Sequence, residues 1–292
     1  MKTKNLLTAL ALAGTLCISC SQDDSFSSTP SEKTENDLFK FNLLTGYSGA
    51  EGGGHTVSSL HAYAFSEGNY LKKFENIDVS ANNFQLSLPA DKQKTLYFLA
   101  DHTALTVNGS TFSESILLTS VSSAAPTPPD VFLYAKASAG TTPTERADIS
   151  LIRGVARIDI NPGTDANMSI DSIQFAGGAD RTYLFSGTPA NIPADATGVV
   201  YKKKFATPLA GGVGPTDNTE VFYVYENGAK EVNITIYGKY NGIDVEVTAK
   251  APSMARNHIY TIKLQGVGQI IVGDIDIKPW EDGDDIIATP DI

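Results

Sequence analysis

The stretch VNITIYGKYNGIDVEVTAK, residues 232–250, decides the fold of this chain. Asn241-Gly242 lies at its centre, and this dipeptide strongly favours the two-residue type I′ turn of a β-hairpin. With that turn, Val232–Tyr240 and Ile243–Lys250 pair in one register, which produces an apolar face and a polar, charge-matched face. The apolar face pairs Tyr240 with Ile243, Ile236 with Val247 and Ile234 with Ala249, and the polar face pairs Lys239 with Asp244 and Thr235 with Thr248.

The rest of the chain beyond Leu38 has the same character. Short apolar runs rich in Val, Ile and Thr alternate with Gly, Pro, Asn and Asp, and no segment keeps a helical period for long. This pattern is typical of an all-β sandwich or barrel, with a short helix expected only around Ser113–Ser120. Further strands are predicted at Val57–Phe65, Phe84–Leu88, Thr95–Ala100, Val131–Lys136, Ile149–Ile160, Ile170–Phe175, Glu220–Tyr225, Ile259–Leu264 and Ile270–Ile277.

Changes in composition divide the chain into segments. Residues 20–37 are rich in Ser, Asp, Glu, Thr and Asn and read as a flexible tether. Four prolines lie between Val121 and Thr144, which places a domain boundary near residue 145. The remaining length suffices for two domains of ordinary size. We therefore predict an N-terminal domain at 38–145 and a C-terminal domain with an acidic tail at 146–292.

The N-terminus has the features of an export signal. Lys2 and Lys4 precede an apolar run, Leu6–Leu16, which is too short to span a bilayer and fits a secretory signal peptide over residues 1–19. Ser19-Cys20 follows and resembles a lipobox, so we expect Cys20 to be acylated and to become the mature N-terminus. The alternative is an ordinary signal peptide with a leftover cysteine. Acylation also explains a single thiol in an exported chain.

The acidic residues near the anchor bear on localisation. Asp23-Asp24 directly behind Cys20 resembles the surface-export signal of lipoproteins in the Bacteroides group, while the alternative is an acidic solvated linker. The expected location is therefore the outer membrane, exposed at the cell surface.

Charge and motif content exclude several classes of function. The chain carries 33 acidic against 22 basic residues, a formal net charge of −11, which argues against binding to nucleic acid. The four histidines are scattered and have no metal-ligand spacing, so no metal site is predicted. No nucleophile elbow or nucleotide-binding loop is present. We therefore expect no enzyme activity and no cofactor.

Four segments carry a resemblance to a known family. Leu151–Ile158, Phe222–Asn227, Arg256–Ile262 and Ile275–Trp280 follow one another in the order seen in the fimbrillin family of Mfa-like and FimA-like pilus subunits, which they resemble. Taken as residues alone, Arg153 and Arg157 read as polar-face or rim positions of a strand, and Tyr260 and Trp280 read as core.

The resemblance implies a fold and a mode of assembly. Fimbrillins have two tandem transthyretin-like, Greek-key β-sandwich domains. A subunit loses its first strand to a trypsin-like protease, and a neighbour's extended segment then fills the exposed groove. The physics is β-augmentation, in which alternate side chains fill pockets. The first strand would be Leu38–Leu44, with Phe39, Phe41 and Leu43 filling the groove, and the donor would be the tail, with Ile286, Ile287 and Ile292 as plugs.

The chain departs from the polymerising pattern at the processing site. No arginine lies between Cys20 and Arg146, and Lys33 and Lys40 are the basic residues between Cys20 and Leu44. Either a lysine is cut, or the first strand is kept. The leading hypothesis is a structural and adhesive subunit of a surface fimbria, partnered by other subunits and by a host or bacterial surface ligand. The alternative is a non-polymerising surface lipoprotein that binds glycan or host protein.

Overall fold

A computed structural model of the chain describes residues 36–44, 56–124, 127–143, 146–185, 192–212, 218–228, 230–251, 253–267 and 270–279. The strands are β1 Asn36–Leu43, β2 Leu60–Ser66, β3 Asn69–Phe74, β4 Asn83–Pro89, β5 Lys94–Ala100, β6 Leu133–Ala139, β7 Ala147–Ile149, β8 Ile152–Arg153, β9 Ala156–Asn161, β10 Met168–Ala179, β11 Gly198–Ala210, β12 Asn218–Val224, β13 Val232–Tyr240, β14 Ile243–Ala251, β15 His258–Val267 and β16 Ile270–Pro279. The helix α1 spans Glu114–Leu118, with a 3₁₀ turn at Gly109–Thr111.

The first half of the chain folds as two packed sheets. A three-stranded sheet in the order β4-β1-β7 lies over a five-stranded sheet in the order β3-β2-β5-β6-β8. Their shared core is apolar and closed, which is how the inner faces of a sandwich are stabilised. Its buried members include Phe39, Phe41, Leu60, Leu88, Leu96, Phe98 and Leu133.

The second half repeats the arrangement with two four-stranded sheets. One sheet has the order β11-β10-β13-β14 and the other the order β12-β9-β15-β16. The core between them includes Ile158, Ile173, Phe175, Ile234, Tyr260 and Ile262. The predicted all-β sandwich class is confirmed, since 58% of the residues that the structure describes are strand and 3% are helix. Among the residues described here, no helix is long and apolar enough to cross a bilayer.

The hairpin of β13 and β14 has the predicted register in every pair. Asn241 and Gly242 have φ of 53° and 77°, the left-handed values that a type I′ turn requires. Lys239 forms an ion pair with Asp244 on the polar face, as the pairing predicts. Tyr260 is buried and its predicted core position is confirmed.

Two strands escaped prediction, and both lie at sheet edges. The strands β3 and β11 each contain consecutive lysines, so lysine occupies positions on both faces of the strand and interrupts the apolar alternation. An edge strand exposes one row of backbone groups, and lysines there discourage pairing with other chains. Lys202–Lys204 lie in β11, at the edge of its sheet.

Gly154 breaks the long strand that was predicted at Ile149–Ile160. The segment forms β7, β8 and β9 instead. Gly154 lies at the break between β8 and β9, where it packs on the ring of Phe132 and donates its N–H to the Phe132 carbonyl at 2.8 Å. The strands β7 and β8 pair within the first-half sheets, and β9 pairs within the second half. The chain thus passes from the first-half sheets to the second-half sheets between Arg153 and Ala156, slightly beyond the domain boundary predicted near residue 145. The division into separate domains stays a prediction.

Substituting Gly154 with alanine is expected to destabilise the protein by about 1–3 kcal/mol through overpacking. A Cβ at this position would overlap the ring of Phe132, which is itself buried. The matched control is Gly198→Ala, because a Cβ there has open space. Denaturant midpoints of the two variants measure the difference, and an equal midpoint for both would contradict the close packing.

A third core joins the two halves, and we call it the junction core. It covers the outer face of the five-stranded sheet with α1, the segment Leu184-Phe185 and Tyr225. The five-stranded sheet is therefore buried on both faces, which explains why every residue of β2 is buried. The junction core consists of Tyr63, Phe65, Tyr97, Leu99, Phe112, Leu117, Phe132, Val155, Leu184, Phe185 and Tyr225.

Candidate assembly groove around the first strand

The predicted first strand is the central strand of its sheet. β1 pairs antiparallel with β4 over its length and parallel with β7 from Phe41 to Leu43. Leu43 N–H donates to the Asn82 carbonyl at 2.7 Å, and Leu44 N–H donates to the Ile149 carbonyl at 2.9 Å. Both flanking strands therefore depend on β1 for their backbone hydrogen bonds.

Alternate side chains of β1 fill the sandwich core. Phe39, Phe41 and Leu43 are buried, whereas Leu38 is 55% exposed and Lys40 faces solvent. The ring of Phe41 stacks on Phe84 at 5.5 Å between centroids and meets Phe98 edge-on at 5.8 Å. These aromatic contacts add to the stabilisation from burial.

A buried lysine closes the pocket that holds Phe39. Lys94 Nζ lies 4.0 Å from the centre of the Phe39 ring and donates to the Gly140 carbonyl at 2.8 Å. Burial lowers the pKa of Lys94 from its ordinary value. The cation and the ring stabilise each other where water is excluded, so Phe39 contributes to the groove as the partner of a charge as well as an apolar plug.

Polar contacts hold the outer face of β1. Asn42 Nδ2 donates to Asp148 Oδ1 of β7 at 2.9 Å. Arg146 Nη1 donates to Asn83 Oδ1 at 2.7 Å, so it joins the ends of the two strands that flank β1. These exposed contacts are worth little individually, and the buried side chains dominate the hold on β1.

The arrangement has the geometry that strand exchange requires. Without β1, a groove between β4 and β7 would offer unpaired backbone groups and three apolar pockets, which is a binding site for an extended peptide. Cys20, Lys33 and the tail positions Ile286, Ile287 and Ile292 lie outside the described residues. Lipidation, processing and donor strand therefore stay predictions.

The predicted surface position of two arginines is wrong. Arg153 and Arg157 are both buried, and Arg157 is only 1% exposed. Arg157 Nη2 and Nε donate to Asp159 Oδ2 at 2.8 and 3.2 Å. The face that alternation marks as polar is thus covered, and Asp159 pairs with the buried charge.

The other fimbrillin-like segments meet beside the junction core. Arg256 Nη2 forms an ion pair with Glu226 and donates to Thr182 Oγ1 at 2.8 Å and to the Tyr183 carbonyl at 2.9 Å. Its guanidinium carbon lies 5.1 Å from the centre of the Tyr134 ring in β6. Arg256 therefore bridges the second half of the chain to the first-half sheet.

Two asparagines of the same segments fix backbone around this ion pair. Asn227 Nδ2 donates to the carbonyls of Gly177 and Lys230 at 3.2 and 2.8 Å, and its Oδ1 accepts from Met254 N–H at 2.8 Å. Asn257 has φ of 58°, a left-handed conformation that asparagine tolerates better than most residues. Phe222–Asn227 and the start of Arg256–Ile262 are therefore structural elements of the junction.

Sequence reasoning missed this junction because its members come from separate segments. Within the described residues, no group of three or more His, Cys, Asp or Glu side chains is arranged to hold a metal ion.

Comparisons with known proteins agree with this architecture. The sequence profile of the family described as Fimbrillin-A associated anchor proteins Mfa1 and Mfa2 matches residues 35–282. Among curated proteins, no sequence matches this chain.

Solved structures with a similar fold come from Parabacteroides distasonis and Porphyromonas gingivalis. A fimbrial assembly protein from Parabacteroides distasonis has a TM-score of 0.56 and 15% identity, over 84% of this chain and 98% of that one. The fimbrillin FimA of Porphyromonas gingivalis W83 has a TM-score of 0.56 and 14% identity, over 85% and 98%. The C-terminally truncated tip fimbrial protein Mfa3 of P. gingivalis has a TM-score of 0.53 and 12% identity, over 83% and 98%.

Proposed function

Because this chain belongs to the family of fimbrillin-A associated anchor proteins, we propose that it is a lipid-anchored structural and adhesive subunit of a cell-surface fimbria. Family membership makes it a fimbrial or adhesion-related structural protein, and a structural rather than catalytic role follows from the same membership. The proposed partners are other fimbrial subunits, which it meets by strand exchange, and a ligand on a host or bacterial surface.

The observation that carries this proposal is the position of β1. A central strand that buries Phe39, Phe41 and Leu43 in one face is the element that strand exchange would replace. The lipid on Cys20 would hold the chain at the outer membrane, exposed at the cell surface.

The lysine positions favour a subunit that keeps its first strand. A cut after Lys33 would leave all of β1 in the chain, and a cut after Lys40 would leave Phe41 and Leu43. The next basic residue is Lys72, which lies in β3 beyond the core strand β2. A trypsin-like protease therefore has no position at which it would empty the groove and spare the rest of the sandwich.

A retained first strand fits one end of a fimbria. A groove filled by the chain's own strand cannot receive the donor segment of a neighbour, so this subunit would exchange strands only as a donor, through its C-terminal tail, and would end the series of exchanges. Together with a permanent lipid at Cys20, this favours the anchor at the membrane.

Mass spectrometry of the mature surface form tests this function. We expect an acylated N-terminus at Cys20, copurification of the chain with native filaments, and detached or shortened filaments when the gene is deleted. A mature start after Lys40 would contradict the retained strand. Absence of the chain from filaments, together with normal assembly in the deletion strain, would contradict the fimbrial function.

The second candidate function is a non-polymerising surface protein that binds glycan. A polar cleft outside the assembly groove favours it. In that case deletion would leave filaments unchanged while attachment to a glycan-bearing surface would fall.

A further inference from the structure

An open cleft of about 700 Å³ lies where three loops of the first half meet Tyr225 of the second half. The loops are Ser58-Ser59 before β2, Glu75-Asn76 after β3, and the segment that follows β5 from Asp101. Ser122–Ala124 and Thr127–Asp130 form the opposite rim. This volume falls within the range of about 300–1,000 Å³ that small-molecule sites occupy. The cleft is separate from the groove that holds β1.

Asp101 makes one wall of the cleft rigid. Its Oδ1 accepts from Ser58 N–H at 2.7 Å, from Ser58 Oγ at 2.6 Å and from Ser59 N–H at 3.1 Å. The backbone of Asp101 is left-handed, with φ of 53°, so the carboxylate secures a turn that few residues would adopt. The Asp101 carboxylate therefore stabilises the wall of the cleft.

His61 holds the floor of the cleft in place through two hydrogen bonds. Its Nδ1 accepts the N–H of Asn76 at 3.2 Å, so the proton must be on Nε2, which donates to the His102 carbonyl at 3.1 Å. Burial lowers the pKa of His61, and the ring is therefore neutral at physiological pH. The floor ties the loop after β3 to the loop after β5, so the cleft is preformed.

The charges that line the cleft exclude anionic ligands. Among the described residues that line the cleft there is no lysine or arginine, and the carboxylates there are those of Glu75, Asp101 and Asp130. Glu75 is paired with Lys73 and Asp101 is saturated by its serines, whereas Asp130 is exposed on the rim. A phosphate, a sulfate or an acidic sugar would meet a net negative field.

The remaining lining groups suit a neutral, hydroxyl-rich ligand. The amide of Asn76 and the hydroxyls of Thr103, Ser123 and Thr127 offer donors and acceptors at exposed positions, together with the Asp130 carboxylate. Apolar surface lies between them, because Ala124 and Pro128 line the same cleft at exposed positions. A sugar ring presents hydroxyls at its edge and C–H groups on its faces, so it matches both kinds of surface.

We propose that this cleft binds a neutral oligosaccharide, with the Asp130 carboxylate accepting hydrogen bonds from sugar hydroxyls. The proposal assigns a ligand class to the adhesive part of the proposed function and rests on it. Binding is a property of the purified chain, whereas fimbrial assembly is read from filaments, so the failure of one can be told from the failure of the other.

A glycan array probed with the full mature chain identifies the sugar, and calorimetry with that neutral oligosaccharide measures the affinity. Asp130→Ala is expected to weaken binding at least tenfold. Thr127→Trp, which places a large side chain on the exposed rim, is expected to abolish it. Glu246→Ala also removes one exposed carboxylate, but from β14 far from the cleft, and is expected to bind as the parent chain does.

Three results would overturn the proposal. One is the absence of any neutral glycan among the ligands in the array. Another is a preference for acidic glycans, which the field of the cleft opposes. The third is unchanged affinity in both Asp130→Ala and Thr127→Trp while the two variants keep the parent's unfolding midpoint.

Discussion

Replacing Arg256 with methionine is expected to lower the free energy of unfolding by about 3–5 kcal/mol. The substitution leaves the Glu226 carboxylate fully buried, with Thr182 Oγ1 at 3.0 Å as its remaining hydrogen-bond donor. It also removes the contact of the guanidinium with Tyr134 across the junction. A single-residue loss of this size corresponds to a fall in Tm of about 10 °C for a domain of 150–250 residues.

The control for Arg256→Met is an exposed ion pair elsewhere in the chain. Lys250 Nζ lies 2.9 Å from Glu231 Oε1, and both side chains are more than half exposed. Lys250→Met should therefore cost less than about 1 kcal/mol. Glu226→Gln should also be destabilising, because it leaves the buried Arg256 guanidinium, which cannot lose its proton, without its counter-charge. Equal denaturant midpoints for Arg256→Met and Lys250→Met would contradict a buried ion pair at the junction.

The cost of Arg256→Met is also expected to depend on pH. Burial raises the pKa of Glu226, and the charge and hydrogen bond of Arg256 oppose that rise. Without Arg256, the pKa of Glu226 rises further. A carboxyl whose pKa is higher in the folded than in the unfolded state contributes less stability as the pH rises through that interval. The deficit of the variant should be largest at neutral pH and shrink on acidification, and a deficit that stays constant with pH would contradict this assignment.

Local chemistry explains which parts of the fold were predictable from sequence. The β13–β14 hairpin was predicted pair by pair because Asn241-Gly242 fixes the turn and alternation then fixes every partner. The strands β3 and β11 were missed because lysines of an edge strand mask its alternation. Gly154 broke a predicted strand because its partner, Phe132, is remote in sequence and no local pattern reports that contact.

In the candidate site, the side chains of β1 that fill the groove were predictable from sequence, whereas the residues that contact them were not. Alternation in β1 identified Phe39, Phe41 and Leu43 as one face, and all three are buried. The partners that hold β1 could not be predicted, because Lys94 reaches Phe39 from β5 and Asp148 contacts Asn42 from β7, both remote in sequence from β1. The burial of Arg157 could not be predicted either. The alternation of β9 marks a polar face but does not indicate that other residues cover that face.

Replacing Phe41 with alanine is expected to lower the free energy of unfolding by about 3–5 kcal/mol, the usual cost of truncating a buried phenylalanine. The ring packs between those of Phe84 and Phe98, and β1 is the strand that joins β4 to β7 in this sheet. Leu38→Ala is the matched control on the exposed face of the same strand, with an expected change within about 0.5 kcal/mol. If the two variants unfold at the same denaturant concentration, β1 does not anchor the sandwich.

The same side chains should decide whether the groove accepts a strand in trans. A protease site inserted within residues 45–55 and then cut would leave β1 held by its hydrogen bonds and its three plugs alone. We expect the cut segment to stay bound and to exchange slowly with a labelled peptide of the β1 sequence, Asn36–Leu43, because release requires loss of pairing to both β4 and β7. A peptide with serine in place of Phe39 and Phe41 should not enter, since it offers the same backbone without the plugs. Equal uptake of both peptides would show that backbone pairing alone fills the groove, and exchange too slow to detect with either would rule out strand exchange at this site.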